Sequence, residues 1–423
     1  MTRRMTRYFL AFLALALPAA GWAQADLTPA IRAYNQEQYD RAALHLYNFI
    51  SSSGQGGDRA RAEFYLAQTL EKLNFLESAK FHYGQIVQAG PTHPYYVPSV
   101  EGLIQVAEAQ DDDVILPSFL DREYNESFQR LRPEFLHKAN YFVGVASRAA
   151  GDLEGAEAFL LTIPPESSYF ARARYLLGIV QIDKGQAAGT IEAMDEASEV
   201  ALAYFNQVLE LSGSHYADLR DLRDLARLGL ARTYYGLGDY AQAVKYYEEI
   251  PRFSRYWDQA LFENGWARFM NDDYGGALGT LQALHAPQFA GAFQPESWTL
   301  KATVYYTACL YDEAKEALDL YAKNYSQYAR TIQPILATDR EASYYYRLIS
   351  DPAERQKLPR AVYNHLAANR RVAGFNRYIA QLDAEIAAIS ELASFRGSPL
   401  REELIQVAQQ QKNLLENVAG SFI

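Results

Sequence analysis

One phrase keeps returning in this chain, and its period limits the folds open to it. "GLGDYAQAVKYYEEIP" at 236–251 places a turn at Gly238 and Asp239, and Tyr240, Ala243 and Tyr247 then recur at helical spacing. The same order of turn, aromatic or Leu, and Ala recurs in "QEQYDRAALHLYNFI" from Gln36, "LNFLESAKFHYGQIV" from Leu73 and "AAGDLEGAEAFLLTIP" from Ala149. It recurs again in "MNDDYGGALGTLQAL" from Met270 and "ACLYDEAKEALDLYA" from Ala308. The anchoring alanines are Ala42, Ala79, Ala156, Ala243, Ala277 and Ala314. Ala42 to Ala79 and Ala277 to Ala314 are each 37 residues, and Ala243 to Ala277 is 34. The gap of 77 residues after Ala79 holds a degenerate unit, and the gap of 87 after Ala156 holds a unit with an insertion. A unit this short cannot bury its own apolar face, so the units must stack into an array.

The insertion is visible. "YLLGIVQ" at 175–181 reads as a first helix and "VALAYFNQVLEL" at 200–211 as its partner, with Ala201 and Phe205 in the anchor places. The stretch between them, near 183–199, is too long for a turn. Proline after a helix is a stop signal, and Pro91, Pro117, Pro164, Pro165, Pro251, Pro287 and Pro295 mark the ends of units.

A helix–turn–helix period of this length resembles the tetratricopeptide repeat family. The family pattern is matched by Leu230, Ala231, Tyr234, Tyr240, Ala243 and Tyr247 in one unit. Leu66, Ala67, Leu70, Ala79, Tyr83 and Pro91 match it in a second, and Trp298, Ala302, Tyr305, Tyr311 and Ala314 in a third. The departures fall at the second small position, which holds Phe49, Ile86, Ile163, Ile250, Leu284 and Tyr321. The resemblance implies an all-α fold, a right-handed α-solenoid of about seven or eight units over 26–329.

Beyond residue 330 the period changes. Leu358, Val362, Phe375, Ile379, Leu382, Ile386, Ile389 and Leu392 step by threes and fours along much of their length, as in a heptad stripe. "RGSP" at 396–399 interrupts it, and Leu400, Leu404, Val407, Leu414, Val418 and Phe422 resume it. Residues 330–423 therefore read as a long helical hairpin or coiled-coil arm. Such an arm either caps the solenoid or serves self-association and docking.

The first 25 residues read as a targeting segment. Arg3, Arg4 and Arg7 precede an apolar stretch at 8–20, and "AQA" at 23–25 offers the small residues a signal peptidase reads. Loss of this segment, with its three arginines, moves the formal charge from −11 to −14. An acidic chain repels phosphate backbones and anionic lipid heads, so nucleic acid is an improbable partner. Cys309 is the single cysteine, which excludes an intrachain disulfide and a CxxC site and leaves no lipid-anchor Cys at the cleavage site. No later stretch has the apolar length of a membrane helix. The expected address is the periplasm.

No motif carries catalysis. The seven histidines sit at 45, 82, 93, 137, 215, 285 and 365 without metal-ligand spacing, and neither a catalytic residue, a metal nor a cofactor is implied. "SSSGQGGD" at 51–58 has no following Lys-Ser/Thr and reads as a loop. "DDD" at 111–113 reads as a solvated turn, and Cys309 as a buried thiol within a first helix. Exported murein transglycosylases with helical superhelices need a catalytic Glu in an ES motif with a glycine-rich partner. "ES" occurs at Glu126, Glu166 and Glu296 without that partner.

The family resemblance implies that positions 2, 5, 9 and 12 of each unit line a concave face. Registered on Ala243, Ala277 and Ala314, these positions select Leu228, Arg232 and Tyr235, then Gln259, Phe262, Trp266 and Phe269, then Glu296, Thr303 and Tyr306. Aromatics rimmed by Arg and Gln suit the capture of a protein or peptide. The clustered Lys and Arg with which some cytosolic members grip acidic tails are absent. "ESWTLKATVYYTACLYDEAKEALDLYAKNY" at 296–325 is similar to a unit of periplasmic repeat proteins from gliding and predatory deltaproteobacteria. That likeness implies a non-enzymatic scaffold in an envelope motility or secretion assembly, with other envelope proteins as partners. An adaptor in outer-membrane or cell-wall assembly is the alternative, and a murein-active enzyme or its regulator a third.

Overall fold

The computed structural model describes residues 26–52, 57–289 and 293–423, so the predicted leader lies outside the described residues. Among the described residues every regular element is helical. Sixteen helices follow one another as eight successive pairs, whose two members pack closely on each other in all but the third. They are α1 (Thr28–Asn35) with α2 (Tyr39–Ser52), α3 (Gly57–Lys72) with α4 (Leu76–Gln88), and α5 (Tyr96–Ala109) with α6 (Ile115–Glu123). Next come α7 (Pro133–Ala150) with α8 (Leu153–Leu161), α9 (Phe170–Ala188) with α10 (Ile191–Glu210), and α11 (Leu219–Gly236) with α12 (Tyr240–Glu248). The last are α13 (Trp257–Met270) with α14 (Tyr274–Leu284) and α15 (Glu296–Thr307) with α16 (Tyr311–Leu336). This is the stacked helix–turn–helix solenoid that the tetratricopeptide pattern implies.

The turn inside each pair explains the repeated phrase. Glu37, Asn74, Asp111, Gly151, Gly238, Asp272 and Cys309 all take positive φ there. In four turns the next residue is an Asp that caps the second helix, as Asp112 does for Ile115. Asp152 accepts from the N–H of Gly155, Asp239 from Gln242 and Asp273 from Gly276. Cys309 is thus an exposed turn residue in the place of Gly238, not the buried helical thiol its apolar neighbours suggest. The anchoring alanines are all buried: Ala42, Ala79, Ala156, Ala243, Ala277 and Ala314. The degenerate unit is α5–α6, where the buried Leu116 takes the place of the anchoring Ala and Leu120 that of the Leu or aromatic four residues on. The insertion is not a loop. It lengthens α9 and α10, which meet in a turn at Gly189 (φ +71), with Thr190 capping Ala193.

Small residues set the helix spacing. Phe205 of α10 is seated between two glycines, and an added Cβ would lie 2.5 Å from its ring at Gly178 and 2.9 Å at Gly229.

The C-terminal region departs from a single long stripe. It comprises α17 (Ala342–Ser350), α18 (Pro352–Arg355), α19 (Arg360–Ala368), α20 (Arg370–Glu391) and α21 (Pro399–Ser421). Asn369 breaks the stripe, because its side chain accepts from the N–H groups of Arg371 and Val372 and starts α20 afresh. In α21 the inward residues are Leu404, Ala408, Leu415 and Ala419, and Leu414 faces out. The helices α20 and α21 pack as a hairpin joined by a short 3-10 turn, Ala393–Phe395.

The hairpin folds back onto the start of the solenoid. Its stripe is covered from one side by α17 and meets Val114 and Ile115 of the third unit. At the second unit the cap position holds Phe75 instead of Asp, and Phe75 lies against Phe395, centroids 6.2 Å apart. The cap of α4 comes from the hairpin instead. Glu385 accepts from the N–H of Glu77 and of Ser78, both at 2.9 Å, and from Ser78 Oγ at 2.7 Å. Burial pushes the Glu385 carboxyl up and these donors pull it back. Beside it, the buried Lys80 ammonium lies 2.9 Å from both Glu77 and Asp112 and also meets the Tyr378 hydroxyl. Tyr378 in turn donates to Glu77 at 2.7 Å. Asp112 is therefore a buried cap and ion partner, where the sequence suggested a solvated turn; its Oδ1 accepts from the N–H of Ile115 at 2.9 Å.

Glu385→Ala removes a cap and leaves buried donors unpaired, and is expected to cost about 2 kcal/mol. The check is the urea midpoint, together with faster amide exchange at Glu77 and Ser78. Unchanged exchange at those two amides refutes the cap.

Candidate partner-binding face

The curvature of the array follows from which helices touch. First helices of successive units pack on one another, as α3 on α5, α5 on α7, α7 on α9, α9 on α11 and α13 on α15. They form the inner wall, with the second helices outside.

On this wall the predicted residues divide. Leu228 is 1% exposed and packs with Ala231, Ala243 and Tyr247, so it belongs to the core and cannot meet a partner. The family register places it on the groove; here it is covered by its own pair and by Ala260 and Ala267 of α13. Arg232 is about half exposed but is not free. Its guanidinium grips Glu263 of the next first helix with two bonds, Nε at 2.8 Å and Nη2 at 2.6 Å. Glu263 also accepts from Tyr247 at 3.0 Å and from Gln259 at 3.0 Å. Arg232, Gln259, Tyr247 and Glu263 thus make a polar clamp between two units. The Glu263 carboxylate and burial act in opposite directions on Arg232, and the hydrogen bonds leave it more strongly held as the cation.

The aromatics sit beside the clamp. Tyr235 is partly buried and meets Tyr240 edge-on at 5.3 Å. Phe262, Trp266 and Phe269 root in the small core of Ala277, Leu281, Leu300 and Val304 and keep part of each ring open. Trp266 and Phe269 meet edge-on at 6.1 Å. Tyr306 is 67% exposed and leans on Tyr311, 5.5 Å away. Glu296 is exposed, and the Thr303 hydroxyl is turned back onto the Thr299 carbonyl at 2.9 Å.

The wall contains residues the sequence reading did not select. Tyr141 of α7 and Tyr175 of α9 lie partly open on it, and Arg148 pairs across units with Asp183 at 2.5 Å. Burial raises the Tyr175 hydroxyl, and Arg232 and Arg148 oppose that rise, so three successive units converge there. Registering the unit of Ala156 by the same positions finds Tyr141 and Arg148. Tyr175 is hidden from that rule by the lengthened α9–α10 pair. Glu263 is missed because it lies one residue beyond the position that selects Phe262.

The start of α15 is fixed by a buried polar knot. His285 stacks on Trp298 with centroids 4.0 Å apart, and its Nε2 is 2.7 Å from Ser297 Oγ. Ser297 Oγ donates to the Gln294 carbonyl at 2.6 Å, so the His285 Nε2–H is the donor between them. Burial, helped by Lys301, lowers the His285 pKa to about 4. The serine beside Glu296 is thus a buried structural group.

No protein-family model matches the chain, and no curated protein matches it. Among solved structures, the apo form of RapI is 12% identical, with 92% of this chain and 97% of that chain covered and a TM-score of 0.38. A Rap protein complexed with competence and sporulation factor is 11% identical, with 92% and 98% covered and a TM-score of 0.30. Yeast Tom70 is 11% identical, with 92% and 94% covered and a TM-score of 0.25. The geometry above defines the class: an all-α solenoid of tetratricopeptide type. The solved structures at these TM-scores add nothing on partner or mechanism.

A half-buried histidine held neutral gives a pH signature. Between pH 6.5 and about 4 the unfolded chain takes up the His285 proton and the folded chain does not, so stability falls as pH drops through that window. The melting temperature should follow, and His285→Phe should flatten part of the drop. A melting temperature rising toward pH 4 would sink this reading.

Proposed function

We propose that this chain is a non-enzymatic scaffold that captures segments of other proteins along the inner wall of its solenoid. The observation that supports it is the row of half-open rings, Tyr235, Phe262, Trp266 and Phe269, beside the clamp of Arg232 and Glu263. Rings anchored on one side and open on the other offer apolar contact area at little entropic cost. Held between units, Arg232 and Glu263 keep the wall in a fixed curvature.

With its leader removed, the protein would work in the periplasm among envelope proteins, within a motility or secretion assembly. The leader-like sequence at 1–25 and the likeness of 296–325 to envelope repeat proteins motivate this address.

Proximity labelling in the periplasm tests the assignment. Recovery of motility or secretion components supports it, and recovery of barrel-assembly or murein factors favours the adaptor reading. Trp266→Ala with Phe269→Ala should weaken partner capture roughly tenfold to a hundredfold with helicity intact. If the double variant loses its helicity the rings are core, and if the purified protein cleaves murein the scaffold idea fails.

A further inference from the structure

The loop from α12 to α13, residues 251–257, reads "PRFSRYW". It is built from two tight turns, with the Ser254 N–H on the Pro251 carbonyl and the Trp257 N–H on the Ser254 carbonyl, each at 3.0 Å. The loop before α9 has the same two turns, Ser167 on Pro164 and Phe170 on Ser167. There the third residue is Glu166, with ordinary backbone. Here it is Phe253, at φ +67 and 85% exposed. A bulky residue with positive φ is uncommon and strained. Among the described residues the ring meets only Trp257, edge-on at 5.1 Å, and it is otherwise exposed.

Trp257 continues the feature. It lies 5.1 Å from Phe289 at 59°, and Phe253 meets it at 63°. Rings crossing at these angles make a ridge, not the flat platform on which a sugar ring would lie. Phe253 is the crest and Trp257 the shoulder.

Charge of both signs surrounds the ridge. On this loop and the neighbouring start of α11 each aspartate has a partner, and Glu249 at the end of α12 shares Arg227 with Asp224. Asp218 is paired with Arg172, Asp221 with Arg255, and Asp224 with Arg227 and Ser254. Asp258 accepts from Gln294 at 3.4 Å. Among the described residues Arg220 and Arg252 have no partner and are exposed. The chain carries −11 overall, but at physiological salt charge beyond about 8 Å is largely screened. The two arginines without a counter-ion, set against Asp258, leave a small local positive excess.

We propose that this ridge is a peripheral membrane anchor for an anionic bilayer surface. Phe253 enters the boundary between headgroups and acyl chains, Trp257 sits at headgroup level, and Arg252 and Arg220 meet lipid phosphates. The positive φ of Phe253 holds the ring away from the protein, where only an outside apolar phase can cover it. One short wedge of this kind gives weak, reversible attachment. It would set the solenoid edge-on against a membrane and leave the inner wall open.

The test uses the chain from Asp26, so that the apolar leader cannot bind lipid on its own account. It should co-sediment with phosphatidylethanolamine–phosphatidylglycerol vesicles more than with phosphatidylcholine vesicles, and less at high salt. Phe253→Ser should lower that binding roughly tenfold or more, the share of one phenyl ring. Arg252→Glu should also weaken it, and Trp257→Phe should abolish the lipid-induced blue shift of tryptophan emission. Phe253→Gly, which accepts the same φ, should melt no lower than the parent and still lose lipid binding. Absence of binding to either vesicle, or full binding by Phe253→Ser, overturns the proposal. A lower melting temperature for Phe253→Gly also overturns it, because the ring is then structural.

Discussion

The structure depends on close approach between helices that cannot stand alone. Phe205 is the clearest instance. It fills the gap between Gly178 in its own pair and Gly229 in the next, so one ring belongs to two units at once. Each pair borrows burial from its neighbour in this way, and stability is shared along the array. Such a design leaves an unmatched face at each end.

At the N-terminal end the chain solves this with its own C-terminus. The hairpin α20–α21 covers the edge of the first three units, and the contacts are specific where the repeat departs from its own rule. Asp at the cap position gives way to Phe75, and the missing cap returns as Glu385 from more than 300 residues downstream. Lys80 then pairs with Glu77 and Asp112, and the Tyr378 hydroxyl donates to Glu77. The hairpin adds Glu385 to the start of α4 and the Tyr378 hydroxyl to Glu77, polar contacts of fixed geometry that make the contact selective as well as adhesive.

Much of the solenoid was legible because its period and its small residues are local properties. Ala243, Tyr247 and Asp239 announce a turn and a buried helix face from a window of a dozen residues, and the structure places them so. Three features were not legible, each for a physical reason. Cys309 sits between Ala308 and Leu310, and nothing in their apolar character reveals a left-handed turn position. The extra residues of the fifth unit went into helix length, because Gly189 and Thr190 move the turn outward without disturbing the packing of Phe205. Leu228 matches a surface position by count, yet its side chain turns into the small core that α11 shares with α12 and α13. The inner-wall residues that repeat in register could be named; the clamp through Glu263 could not, since a pair across units is invisible to a pattern read within one.

The other end of the array is treated differently, and this shapes how stability is distributed. Leu310 occupies the cap position of the last pair, as Phe75 does in the second, but no hairpin covers it and it remains 42% exposed. Of the 26 residues in α16, only Ala314 and Ala317 are buried. Phe293 touches Tyr325 and Tyr328 on its second half and reaches His365 of α19, which is a thin seam beside the hairpin's grip on α4. Local opening free energy follows buried apolar contact. The array is therefore held most firmly where the C-terminus returns to it, and the first helices that carry Trp266, Phe269 and Tyr306 lie toward its looser end. A binding wall placed there can adjust its curvature to a partner while the clasped units keep the fold.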